Sequence, residues 1–130
     1  MTKSVAQKLG LNPGKTLLVK DAPAPLERLL GVLPEAGTVV ETGAGPFPLM
    51  LLFVKDRHAL ERALPAAKAK LQKGGALWVA YVKGTSKLAT GINRDSIRNY
   101  AHTQGLDAVS LVAIDNDWSA LRLKVIEESP

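Results

Sequence analysis

The chain has 130 residues, 46% hydrophobic and 22% charged, with a formal net charge of +5 and no cysteine. That composition is ordinary for one globular domain with a real core, and the missing cysteines exclude a disulfide framework, a thiolate metal site and a cysteine nucleophile. Lysines and arginines are spread along the chain and aromatic residues make up only 5%, so the positive charge reads as a solvated surface rather than a nucleic-acid footprint, which leaves a basic nucleic-acid-binding domain as a lesser alternative.

Residues Met1 to Lys8 lack the apolar core of a signal peptide, and no apolar run reaches the length needed to span a bilayer; a cytoplasmic protein without membrane contact is expected. Ser4 to Leu9 suits a short helix stopped by Gly10, and Asn12-Pro13-Gly14 turns the chain into a first strand over Thr16 to Val19. The stretch Gly10 to Thr16 looks superficially like a phosphate-binding loop, but it has three residues between its glycines instead of four and precedes a strand. A phosphate loop follows a strand and opens a helix, so this one is discounted.

Leu26 to Leu30 carries apolar residues at helical spacing, with Pro25 suited to the first helical position and Gly31 to the residue past the end. A second strand is expected over Thr38 to Val40, followed by a loop from Gly43 to Pro48. The unbroken apolar run Leu49 to Val54 and a second run, Ala76 to Tyr81, flank a helix-like stretch that closes at Gly74-Gly75. Two such runs joined through a helix predict parallel strands buried on both faces. Asp56 can cap that helix, Leu60, Leu64, Ala67 and Leu71 form its apolar stripe, and Pro65 is expected to kink or restart it.

A polar loop covers Val82 to Gly91, and Asn93 caps a helix running to about Gln104 with Gly105 as its stop. Ala108 to Ile114 and Ala120 to Val125 read as two strands of an antiparallel hairpin. Asp115, Asp117 and Trp118 would build its turn, with Trp118 covering the sheet edge. The expectation is a single α/β domain over residues 1–130: three-layer and Rossmann-like, its mostly parallel sheet of about six strands ending in an antiparallel hairpin.

The stretch Leu71-Gln72-Lys73-Gly74-Gly75 before an apolar strand containing Trp78, then a helix and a terminal hairpin, is similar to the second half of the class I methyltransferase fold. The first half is shorter than in that fold by one helix-strand unit. The chain as a whole resembles a bacterial family of short domains of unknown function, through Lys8-Leu9-Gly10-Leu11-Asn12-Pro13-Gly14, Lys83-Gly84-Thr85-Ser86-Lys87 and Asp115-Asn116-Asp117-Trp118-Ser119. These resemblances imply a sheet ordered second, first, third, fourth, sixth, fifth strand. They imply no reaction.

A methyltransferase of that fold binds S-adenosylmethionine with a glycine-rich turn after its first strand, because only glycine lets the backbone approach the ligand closely. The turn here is Asp21-Ala22-Pro23-Ala24-Pro25, with no glycine and two prolines that lack an N–H. Asp21 and Glu41, the latter placed like a ribose-holding acid, are the residues on which cofactor binding would rest. The Lys83-Gly84-Thr85-Ser86-Lys87 loop, with two cations and two hydroxyls expected beyond the carboxyl ends of the strands, is the candidate anion site. Neither His58 nor His102 lies in a catalytic or metal-ligating motif. The sequence therefore points to a binding or regulatory module with no catalytic residue and no required cofactor or metal, taking a small anion or a protein partner and able to dimerise through its edge strands. The alternative is a methyltransferase that uses S-adenosylmethionine through an atypical loop.

Overall fold

The computed structural model describes residues 3–84 and 91–126. Its elements are α1 (Val5–Lys8), β1 (Thr16–Lys20), α2 (Leu26–Leu30), β2 (Thr38–Val40), β3 (Phe47–Phe53), α3 (Arg57–Lys70), β4 (Leu71–Val82), α4 (Arg94–Thr103), β5 (Leu106–Ala113) and β6 (Trp118–Val125). The six strands form one sheet in the order β2-β1-β3-β4-β6-β5. β1 to β4 run parallel to one another, whereas β6 runs antiparallel to both β4 and β5. This is the strand order that the methyltransferase resemblance implies, closed by the hairpin that the last two strand patterns predict.

Side-chain alternation along the strands splits the interior into two cores. Leu17, Val19, Leu51, Trp78 and Ala80 face one side, where Ala6 of α1 and Leu29 and Leu30 of α2 cover them. Leu18, Met50, Leu52, Leu77 and Val79 face the other, beneath Leu60 and Leu64 of α3 and Ile97 and Ala101 of α4. Burial on both faces is why β3 and the second half of β4 read as continuous apolar runs instead of alternating ones.

Local signals set the helix starts. Ser4 caps α1 in a box with Gln7, the Ser4 N–H donating to Gln7 Oε1 at 2.9 Å. Asp56 Oδ1 accepts the Ala59 N–H at 2.8 Å to open α3, and Asn93 and Ser96 make a second capping box for α4. Pro25 is the residue before α2 rather than its first helical residue.

Pro65 does not interrupt α3, which runs unbroken from Arg57 to Lys70. A proline at this position cannot donate to the carbonyl four residues earlier, that of Glu61. The Tyr100 hydroxyl of α4 donates to that same carbonyl at 3.3 Å, so the bond the ring removes is replaced from the neighbouring helix. Lys68 Nζ also donates to the Gln104 carbonyl, tying the end of α3 to the exit of α4.

The boundaries around β3 and β4 differ from the sequence reading. Phe47 and Pro48 belong to β3, and Leu71 already pairs with Phe47, so Gly74 and Gly75 lie within β4 rather than ahead of it. The register shifts between Phe47 and Leu49, and the irregularity sends Phe47 into the α3/α4 core while Leu49 faces the opposite one. Gly74 takes a φ of 78°, and a β-carbon on Gly75 would lie 2.9 Å from the Gln72 carbonyl oxygen and 3.0 Å from that of Pro48. The pair serves a strand irregularity that only glycine accommodates. Trp118 does not cover the sheet edge but packs edge-to-face on Phe53, ring centroids 5.1 Å apart, inside the α1/α2 core.

Candidate functional site

Because β1, β2, β3 and β4 are parallel, their carboxyl ends share one edge of the sheet, and antiparallel β6 brings the 114–117 turn to the same edge. The strand order reverses direction between β1 and β3, the position at which open α/β sheets present a crevice. The sequence candidates fall on either side of it. Asp21 and Glu41 follow the neighbouring strands β1 and β2, while Lys83 and Gly84 follow β4, with β3 between the two groups.

Asp21 leaves β1 with a φ of 60° and an exposed side chain. That left-handed backbone is uncommon outside glycine and aspartate or asparagine, and here it turns the chain toward Pro23 and Pro25. The helix that follows has five residues and no side-chain cap bond, so few aligned N–H groups point at the crevice. Glu41 is exposed.

At the β4 exit the Lys83 N–H donates to the Asp117 carbonyl at 2.7 Å. The 114–117 turn is held by Asp115 Oδ1, which accepts the Asp117 and Trp118 N–H groups at 2.8 Å each. The backbone at Lys83 is therefore fixed to a turn that is itself cross-braced. Lys83 is half-buried and Gly84 exposed; Thr85, Ser86 and Lys87, the rest of the candidate anion loop, lie outside the described residues. The Asp115 and Trp118 that resembled a family motif act on structure, as turn brace and core aromatic.

Sequence reasoning missed a cleft of about 420 Å³ between β1 and α3. Its floor is Leu18, Met50 and Leu52, its helical wall carries Ala59, Ala63 and Ala66, and Lys20, Asp21, Arg62 and Lys70 stand around it. Of the sequence candidates only Asp21 lines this cleft. A signal existed: Lys20 ends the apolar run Leu17 to Val19 with a cation, and alanines recur at helical spacing beside the leucine stripe of α3.

Among the described residues two groups titrate away from their ordinary values, and neither lies in the crevice. Burial raises the Tyr81 phenol, against the opposing charge of Arg94. Asp107 is lowered, first by its hydrogen bond with His102 and then by that with Arg98; Oδ1 lies 2.6 Å from His102 Nε2 and 3.1 Å from Arg98 Nε. The His102–Asp107 pair fastens α4 to β5. Among the described residues no three histidine or carboxylate groups gather as metal ligands, and no helix is long and apolar enough to cross a membrane.

Solved structures share this fold. A SAM-dependent methyltransferase from Aquifex aeolicus superposes with a TM-score of 0.53 at 13% identity, covering 94% of this chain and 88% of its own. The structure of LepI in complex with SAM superposes with a TM-score of 0.51 at 15% identity over 92% of this chain, which spans only 38% of LepI. Identities this low establish a methyltransferase-like fold and nothing about the reaction. No curated protein matches the sequence. The family described as protein of unknown function DUF3052 matches residues 48–127, more than half of the chain, and the chain belongs to it.

Proposed function

We propose that this protein is a binding or regulatory module on a methyltransferase-like scaffold, taking its ligand or partner at the carboxyl edge of the sheet without transferring a methyl group. The supporting observation is the exit of β1. Where a cofactor turn has to let the ligand reach the backbone, this chain has an exposed Asp21 at φ 60° and then Pro23 and Pro25. Each proline lacks an N–H donor, and the short α2 adds few more. The exit of β4 is better suited to an anion, with Lys83 held on the braced 114–117 turn.

An S-adenosylmethionine-dependent enzyme with an atypical loop is the second reading. It is favoured by the two neighbours named above, one a SAM-dependent methyltransferase and one bound to SAM, and by Glu41 directly after β2.

A thermal-shift series separates the two. The purified protein is heated with S-adenosylmethionine, S-adenosylhomocysteine, nucleotides and inorganic phosphate, as wild type and as Lys83→Ala, Lys87→Ala and Glu41→Gln. The binding-module reading expects no response to S-adenosylmethionine and a phosphate or nucleotide response lost in the lysine variants. Stabilisation by S-adenosylmethionine that survives both lysine changes and disappears in Glu41→Gln overturns it in favour of the enzyme.

A further inference from the structure

A parallel sheet is stable when helices cover both of its faces. Here the helices on the α3/α4 side pack against β3, β4 and β5, and the chain passes from β2 to β3 without forming a helix. β1 and β2 are thus left without a helix of their own on that side. β1 carries the mark of this in its sequence: Leu17 and Val19 point into the α1/α2 core, while Leu18 and Lys20 point the other way. Lys20, the last residue of β1, pairs with Leu52 and is exposed at the carboxyl edge of the sheet.

The cleft that results is both apolar and cationic. Its floor leucines and methionine are at most 1% exposed, so the apolar surface open to a ligand is that of the half-buried Ala59 and Ala63 and the exposed Ala66. Its wall is made of alanines, which leave open the space that longer side chains would fill, and about 16 Å of helix separates Ala59 from Lys70. The side chains of Lys20, Arg62 and Lys70 make no hydrogen bond or ion pair with any described residue, and Asp21 is the only carboxylate among the lining residues. A volume of about 420 Å³ falls within the ~300–1,000 Å³ of small-molecule sites. An apolar trough rimmed by unpaired cations complements a ligand with an apolar body and a negative head, because the trough rewards desolvation and the rim supplies charge-assisted hydrogen bonds.

We propose that the cleft between β1 and α3 binds a small amphipathic anion of the medium-chain carboxylate class. This site is distinct from the Lys83 exit of β4 and stands whether or not that exit binds anything.

The test uses the full chain with decanoate as probe and 1-decanol as its uncharged counterpart, read by thermal shift and by isothermal titration. Decanoate is expected to stabilise the protein, to weaken as salt is raised, and to bind roughly tenfold or more tighter than decanol, the worth of one charge-assisted bond. Lys20→Gln and Arg62→Gln should each weaken decanoate several-fold while leaving decanol unchanged. Ala63→Phe, which fills the cleft, should abolish binding; Ala66→Leu, at an exposed wall position, does the same with less risk to folding. Lys83→Ala should have no effect.

Decanoate binding that survives both filling variants overturns the site, and equal affinity for decanol and decanoate overturns the anion. Two results would reassign the occupant and overturn the small-molecule proposal. One is self-association in sedimentation that Ala66→Leu dissociates, which makes the occupant a second copy of the chain. The other is an acidic amphipathic peptide binding where decanoate does not.

Discussion

The two faces of the sheet are closed by opposite means. The α1/α2 face has the shorter helices, four and five residues, yet its core is filled by large side chains from the strands themselves. Trp78, Phe53 and Trp118 supply that bulk, and the buried Trp78 indole donates to the Leu9 carbonyl at 2.8 Å. The α3/α4 face has helices of 14 and 10 residues, yet it retains a cleft, because α3 turns leucines toward β3 and β4 and alanines toward β1. Helix length therefore does not decide which face is sealed. What decides it is whether a bulky side chain reaches each strand: β1 has no helix of its own on the α3/α4 side and meets only the alanines of α3, and interiors are packed to a density at which a missing isobutyl group is a hole.

The comparison breaks most sharply at Trp78. Trp78→Ala should cost about 3–5 kcal/mol in urea unfolding, because it removes the wedge and leaves the Leu9 carbonyl without its donor. Trp78→Phe keeps most of the volume and loses the donor, so about 1–3 kcal/mol is expected; equal losses in the two variants would show that volume is irrelevant to that face.

Neighbouring positions on α3 sharpen it next. Leu64→Ala, in the core, should cost about 2–5 kcal/mol, whereas Ala63→Leu, one residue away on the cleft, should stay within about 0.5 kcal/mol of wild type. A large loss in Ala63→Leu would mean that the cleft is as tightly packed as the core.

The seam between α3 and α4 gives a smaller effect. Tyr100→Phe removes the donor to the Glu61 carbonyl and should cost about 1 kcal/mol. In a Pro65→Ala background residue 65 recovers its N–H, so the same change should cost less. A double-mutant cycle without such coupling would show that Tyr100 does not compensate for the proline.

The smallest effect is one of pH. The Asp107 carboxyl lies below its ordinary value of 3.8, so its stabilising contribution is present above that value and is lost as pH falls through the lower folded one. Asp107→Asn should flatten the acid end of a stability-versus-pH curve measured by urea unfolding, and only slightly, because the group is on the surface. An unchanged acid slope would remove Asp107 from the account.

Much of this was legible in the residues. Apolar runs, caps and turn residues are local, and Ser4, Asp56 and Asn93 act within three residues of where they stand. The reading failed where a distant partner decided. Pro65 was expected to disturb α3 because the sequence does not bring Tyr100 to Glu61, 39 positions away. Trp118 was expected at an edge because its contact with Phe53 forms only once β6 has inserted beside β4. Gly74 and Gly75 read from sequence as a helix stop, because a strand irregularity and a turn both call for glycine.

The candidate sites divide in the same way. Asp21, Glu41 and Lys83 could be proposed from strand ends alone, and the sheet places each of them at the expected edge. The cleft could not, since Lys20, Arg62 and Lys70 are up to 50 positions apart in the chain and meet only when α3 lies across β3. Sequence by itself determined the elements and the closing hairpin, because these follow from periodicity and local hydrogen bonding; the order of the strands in the sheet came from the methyltransferase resemblance. Tertiary structure alone decided which face is sealed and which is open, because that depends on side-chain volumes meeting across elements that the chain order does not bring together.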